Sequence, residues 1–412
     1  MKRRVVVTGL GALSPIGNSV KTMWENAKRG TNGIDFLKGI DVSQNDVKIG
    51  GEIKDFDFEA YFGKKELKRM DRFVQYAMVA TDEAMADANL DLENEDVKRI
   101  GVYYGSGIGG LETIADQEDR AKKKGFNRIS PFFIPSAIIN IAAGNIAIKY
   151  GLKGIATSSV TACASATNSI GEAFRAIRDG YLDVAVTGGS EGSLIPLGIG
   201  GFNVMKALNK SNDPQNASIP FDKNRSGFVM GEGAGTLVLE SYEHAKARGA
   251  KVYAEISGYG ATCDAHHITS PSPDGEGAAD CMAMAIKDAR LTPEDVDYIN
   301  AHGTSTPLND STETKAIKSV FKNHSYQLHV SSTKSMTGHL LGASGAIEAI
   351  FSVLSTQEDI ILPTINTKEL DEECDLEYTL GKAVKKPVHV AISNSLGFGG
   401  HNATILVKKI KE

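Results

Sequence analysis

Cys163 lies in the run Thr161-Ala162-Cys163-Ala164-Ser165-Ala166, just ahead of a helical pattern carried by Ile170, Ala173, Phe174 and Ile177. A thiol at a helix start meets free N–H groups and the positive end of the helix dipole, which favour thiolate over thiol. The same N–H groups can hold the oxyanion formed when sulfur attacks a carbonyl. Taken alone, a cysteine is more often a small buried hydrophobe. Two distant histidines change that reading, because His302 and His339 each occupy a glycine-bearing, hydroxyl-rich turn after a strand-like run. Nucleophile and imidazoles remote in sequence but joined by the fold are what thiol catalysis requires.

The elements that must bring them together read as short β-branched runs alternating with helical patterns, an α/β fold with strands covered on both faces. Strands are expected at residues 4–8, 100–104, 184–187, 235–239, 252–256, 296–300, 329–332, 388–393 and 402–407. Helices are expected at 20–28, 65–88, 111–124, 163–178, 275–289, 312–321 and 341–356. The apolar window Ile134–Ile148 carries Pro135, Asn140 and Asn145, is too short to span a bilayer, and reads as a buried helix. The order of elements repeats weakly, so the chain divides into two similar halves, 1–250 with the thiol and 251–412 with the two histidines. A cleft at their junction would hold all three.

The 412 residues carry a net charge of −6 and only four scattered cysteines. That balance argues against nucleic acid as a partner, and unpaired cysteine spacing argues against a disulfide framework or a zinc site and for a reducing cytoplasm. Val5–Val7 after Lys2-Arg3-Arg4 is a buried strand, since Thr8, Gly9 and Gly11 cut it too short for an export signal. Gly105, Gly107 and Gly110 match a dinucleotide-binding spacing, but no acidic residue follows about twenty positions on. Close packing of backbone is the preferred role for these glycines, and no cofactor is expected.

Four motifs together resemble the condensing enzymes of fatty-acid synthesis, the β-ketoacyl-acyl-carrier-protein synthases, and within them the synthase II type. They are Thr161-Ala162-Cys163, His302-Gly303-Thr304-Ser305-Thr306-Pro307, Lys334-Ser335-Met336-Thr337-Gly338-His339 and Gly397-Phe398-Gly399-Gly400-His401-Asn402. The likeness extends over essentially the whole chain. It implies the thiolase fold, a five-layered αβαβα arrangement of two related halves, and a homodimer. Phe398 stands where the related thiolases carry a second thiol, which favours a decarboxylating enzyme, and Lys334 with His339 points to the Cys-His-His class.

By this resemblance Cys163 carries the acyl group, its own N–H and that of Phe398 form the oxyanion hole, and His302 and His339 stabilise the enolate left when a malonyl thioester loses carbon dioxide. The product would be a 3-oxoacyl chain two carbons longer. Lys334 would be an orienting cation held by Glu348. Asn300, Glu348, Ser393 and Asn394 lie where the family holds a structural monovalent cation. Thr269, Thr304 and Thr306 resemble contacts for a phosphopantetheine arm; Ile108, Phe202, Phe228 and Phe398 resemble the acyl pocket and its gate, with Phe133 contributed across the dimer. The acidic acyl carrier protein would dock on Lys64, Lys65, Lys68, Arg69 and Arg72, with Arg128 beside them. Two positions depart from the pattern, Ala166 in place of glycine and His266 in place of tyrosine. Relatives that lack activity and only set chain length lack the nucleophile, which this chain keeps.

Overall fold

A computed structural model describes residues 2–410. Ten strands form one sheet: β1 (Val5–Leu13), β2 (Ile100–Gly105), β3 (Ala156–Thr157), β4 (Val184–Glu191), β5 (Gly233–Ser241), β6 (Ala254–Cys263), β7 (Tyr298–Asn300), β8 (His329–Ser331), β9 (Val390–Gly397) and β10 (His401–Lys409). Their order is β8-β7-β9-β10-β6-β1-β5-β4-β2-β3. In the first half β3, β2 and β4 run parallel, and β5 and β1 follow antiparallel. In the second half β8, β7 and β9 run parallel, and β10 and β6 follow antiparallel. Order and direction therefore repeat strand for strand. The halves join where Val5, Val6 and Val7 pair with Ile256, Glu255 and Ala254.

Five helices complete the layers: α1 (Arg72–Ala88), α2 (Ser165–Arg178), α3 (Glu276–Asp288), α4 (Pro307–Phe321) and α5 (Ser344–Glu358). Helix α1 and the helix Ile141–Tyr150 cover the outside of the first half, where Phe73, Val74 and Ile146 pack on Ile100, Val102 and Val186. Helices α3 and α4 cover the second half through Met282, Ile286 and Ile317 against Ile299 and Ile392. Helices α2 and α5 lie between the two halves, Ile170, Phe174, Ile347 and Phe351 meeting Val5, Leu237 and Ile405. Every residue from Ser344 to Thr356 is buried, as a helix in the middle layer must be.

The helix expected over 65–88 is interrupted. Lys64–Leu67 forms one turn, and α1 starts afresh because the Asp71 carboxylate accepts from Phe73 N–H at 3.3 Å in extended backbone, an N-cap. The window Ile134–Ile148 is not a buried helix. It divides into Phe133–Ala137 and Ile141–Tyr150, with Ile134, Ile138 and Ile148 exposed beside the edge strand β3. Gly9 and Gly11 let α1 lie directly on β1, since a Cβ there would stand 2.3 Å from Ala84 O and 1.9 Å from Ala80 O.

Candidate active site

Cys163 sits not inside α2 but in the 3₁₀ turn Ala162–Ala164 that precedes it. Ala162 takes φ +50°, a left-handed value that strains a residue with a Cβ. Ser165 secures the bend, its hydroxyl donating to Ala162 O at 2.7 Å and accepting from Thr161 N at 3.0 Å. The Ala166 methyl is accommodated because Gly189 faces it; a Cβ on Gly189 would come within 2.7 Å.

The backbone N–H groups of Phe398 and Cys163 lie near enough to the sulfur to favour its charged form. Gly397 makes this approach possible, since a side chain there would reach 2.8 Å from Thr161 O and 3.1 Å from Cys163 N. Burial pushes the thiol up to about 12, against the opposing charge of Lys334 and these two donors. The expectation that the helix start alone secures a thiolate is thus corrected: desolvation outweighs it.

His302 and His339 converge from opposite elements, their rings perpendicular with centroids 5.3 Å apart. Burial and the charge of Lys334 hold both well below the ordinary histidine value, so both imidazoles are neutral. Leu341 N–H donates to His339 Nδ1 at 3.3 Å, which leaves the proton of the neutral ring on Nε2; Ser344 Oγ is 3.0 Å from the same Nδ1. His302 is held through its backbone. Glu313, buried on α4, accepts from His302 N and Gly303 N at 2.9 Å each and from Asn394 Nδ2 at 3.2 Å. Sequence reasoning missed Glu313; an acid at an otherwise buried position of α4 was the available signal.

Lys334 is buried and ion-paired with Glu348. Asn300 Oδ1, Glu348 Oε2 and Ser393 Oγ are buried oxygens without hydrogen-bond partners, a donor set that suits a hard cation. The Asn394 oxygen is already taken by Thr404 Oγ1 at 2.8 Å.

One cavity of about 560 Å³ is lined by Cys163, His302, His339, Phe202, Phe228, Phe398, Thr269, Thr304 and Thr306. Aromatic rings form its wall, Phe398 to Phe202 at 6.3 Å, Phe202 to Phe228 at 5.5 Å and Phe228 to His339 at 5.2 Å. Ile108 packs in the apolar cluster that includes Cys163, Phe202 and Phe228. Phe133 does not reach this cavity within one chain and lines a separate depression with Lys68 and Phe132.

Residues 2–245 match the model of the beta-ketoacyl synthase N-terminal domain and residues 253–368 that of the C-terminal domain. The chain belongs to the beta-ketoacyl synthase family. Among curated relatives it is 53% identical over 409 residues to the 3-oxoacyl-[acyl-carrier-protein] synthase 2 of Staphylococcus aureus (strain N315), covering 99% of each chain. It is 52% identical over 409 residues to the protein of that name from Synechocystis sp., covering 99% of this chain and 98% of the relative. Two solved structures align over 100% of both chains. One is a type II PKS ketosynthase in complex with its acyl-carrier protein and bound to the hexaketide, at TM-score 0.92 and 36% identity. The other is a beta-ketoacyl synthase from Burkholderia phymatum, at TM-score 0.90 and 33% identity. The fold of this beta-ketoacyl synthase is accordingly the thiolase fold.

The remaining expected residues lie elsewhere on its surface. Lys64, Lys65, Lys68, Arg69 and Arg128 are exposed. Arg72 does not belong with them, because it is drawn to Glu112 at 2.9 Å and to Glu232 at 3.8 Å. His266 is exposed on the loop after β6. Gly105 and Gly107 serve close packing, the preferred reading of these glycines: a Cβ on Gly105 would stand 2.6 Å from Ser165 O and one on Gly107 2.7 Å from Glu191 Oε2.

Proposed function

We propose that this chain is a 3-oxoacyl-[acyl-carrier-protein] synthase that performs the decarboxylating condensation by which fatty acyl chains are elongated. One observation carries the reading: a thiol with two backbone N–H groups near it shares a cavity with two neutral imidazoles. In the first half-reaction the Cys163 sulfur attacks an acyl thioester, the N–H groups of Cys163 and Phe398 receive the oxyanion, and the carrier thiol departs. The acyl chain extends into the apolar cluster of Ile108, Phe202 and Phe228.

In the second half-reaction a malonyl thioester loses carbon dioxide, and the electron pair of the broken C–C bond becomes an enolate. Neutral His302 and His339 donate to its oxygen, and a low dielectric makes those donors effective. The enolate carbon attacks the acyl-Cys163 carbonyl, and collapse of the oxyanion returns the sulfur. Lys334, fixed by Glu348, keeps the imidazoles unprotonated. Thr269, Thr304 and Thr306 face the cavity as contacts for the phosphopantetheine arm. Asn300, Glu348 and Ser393 would hold a monovalent cation, which would supply positive charge at the buried carboxylate.

Halves 1–250 and 251–412 each contribute one side of the site, supported by the repeated strand order. A homodimer is supported by the apolar residues Ile134, Ile138, Ile148, Ile155 and Val160 exposed around edge strand β3, and Phe133 would enter the partner's pocket there. The acyl carrier protein would dock on Lys64, Lys65, Lys68, Arg69 and Arg128. No helix among the described residues is long and apolar enough to cross a membrane, and a cytoplasmic location fits the free cysteines. The test is elongation of a series of acyl-carrier proteins with malonyl-carrier protein: wild type extends them, Cys163→Ala does not, and unimpaired elongation by that variant defeats the reading.

A further inference from the structure

Glu191 ends β4 and is wholly buried. Its Oε2 accepts from Gly107 N at 2.8 Å and Gly342 N at 3.0 Å. Its Oε1 accepts from Ser106 Oγ and Ser193 Oγ at 3.1 Å and from Ile108 N at 3.3 Å. Three of these donors are backbone N–H groups that can never accept, so the set is built for an ionised carboxylate.

The junction is tight. A Cβ on Gly342 would stand 2.2 Å from Gly107 N, and one on Gly107 would stand 3.3 Å from Ala162 O. The pocket wall at Gly107 and Ile108 and the turn after His339 thus close on one carboxylate, and the bend before the thiol packs against the first of them at Gly107. In that turn Leu341 takes φ +49°, left-handed and strained. Its N–H faces His339 Nδ1, and the very next N–H, of Gly342, is the one Glu191 holds.

We propose that Glu191 is a positioning residue for the condensation half-reaction. By anchoring Gly342 N–H it fixes the strained Leu341 peptide, whose N–H fills His339 Nδ1 and keeps the ring proton on Nε2, facing the enolate. This rests on the assignment of His339 as an enolate donor. Acyl transfer to Cys163 does not use that donor, so the two half-reactions separate under mutation. Glu191 also opposes thiolate formation at Cys163 through its charge, and removing it leaves acylation no slower on electrostatic grounds.

The experiment measures each step in Glu191→Leu, Glu191→Gln and His339→Ala: acyl transfer to Cys163 as labelled acyl-enzyme, and carbon dioxide release from malonyl-carrier protein. Glu191→Leu is expected to slow decarboxylation about tenfold or more, the scale of a misdirected charge-stabilising donor, and to slow acylation less, through the Ile108 N–H it frees at the acyl pocket. Glu191→Gln recovers most of the decarboxylation, because its oxygen can still take Gly107 and Gly342 N–H while the Ser106 and Ser193 hydroxyls rotate to accept from its amide, leaving only the longer Ile108 N–H contact unmet. Equal loss of both steps, or loss of neither, overturns the role of Glu191. Undiminished decarboxylation by His339→Ala instead overturns the histidine assignment beneath it. Should Glu191→Leu not fold, Glu191→Asp, which withdraws the carboxylate by one carbon, is put through the same assays. ¹⁵N-histidine spectra of the wild type give a check free of variants: a His339 proton on Nε2 supports the role, and one on Nδ1 overturns it.

Discussion

Lys334→Met tests the electrostatic core of the site. Lys334 and Glu348 expose only 1% and 3% of their side chains, and removing one member of such a pair costs about 3–5 kcal/mol. Burial already pushes Glu348 up to about 7 while Lys334 opposes it. Without the ammonium, and in buffer free of the monovalent cation proposed for this site, Glu348 must stay protonated. At pH 8, holding a proton on a carboxyl with ordinary value 4.5 costs about 5 kcal/mol at ~1.4 kcal/mol per pH unit, of which the wild type, with its value near 7, already bears about 3.5 kcal/mol, so this term adds about 1.4 kcal/mol to the variant's deficit at that pH. The sign follows from linkage. A carboxyl whose folded value is raised binds its proton more tightly when native, so stability falls with rising pH from its ordinary value up to its folded one. For the wild type that window closes near 7, while for the variant it extends higher. Stability curves of the two proteins therefore run parallel below about pH 7, and the variant's deficit grows by about 1.4 kcal/mol per pH unit above it. Denaturant unfolding at a series of pH values reads this directly, and Lys334→Met/Glu348→Gln should recover most of the loss. A deficit constant across the series, or a double variant no more stable than the single, refutes the reasoning. The same substitution leaves burial holding His302 and His339 low but removes the added push of the Lys334 charge, so the acid limb of the condensation rate should move toward higher pH.

Because the Cys163 thiol is pushed up to about 12, its alkylation by iodoacetamide should accelerate about tenfold per pH unit through neutrality without levelling; a plateau below pH 9 would contradict the burial argument. Charge reversal at Lys65 and Arg69 should raise KM for carrier-bound substrate about tenfold and spare short thioester mimics, and equal effects on both would reject docking there. His244 bridges Glu240 at 2.6 Å and Glu95 at 2.8 Å and is raised to about 9. Its stabilisation is complete below about pH 6.5 and lost as pH climbs through 9, so His244→Gln should cost about 2–3 kcal/mol at pH 6 and little at pH 10. A cost independent of pH would show that the ring acts only by packing.

Nine of the ten strands were legible because most of them are β-branched runs bounded by glycine or polar turns; β3 (Ala156–Thr157), two residues long, leaves no such pattern. Cys163, His302, Lys334 and His339 were legible because four short motifs share one family pattern. Periodicity carried less than it promised at two places. Residues 65–71 keep a helical spacing, yet Asp71 restarts the helix by capping it; the apolar run at 134–148 buries Ile146 but turns Ile134, Ile138 and Ile148 outward, and hydrophobicity alone does not tell a core face from an exposed one. Glu191 and Glu313 escaped notice because most of their partners are backbone N–H groups. Nothing in a sequence marks a peptide group as awaiting an acceptor, so an acid ending a buried strand was the only trace. The misreading of Arg72 has a like cause, since its partners Glu112 and Glu232 are far apart in the chain.

The bend that bears the thiol has a twin. Ala162 at φ +50° leads through a 3₁₀ turn to Ser165 and α2; Leu341 at φ +49° leads through a 3₁₀ turn to Ser344 and α5. Superposed along the repeat, Cys163 corresponds to Gly342. Any side chain at Gly342 would run into Gly107 N, so the second copy can never acquire a nucleophile of its own. The two elbows of a duplicated scaffold thus differ in what they can carry: in the proposed chemistry one reacts and the other only braces, which would limit each chain to a single acyl load at a time.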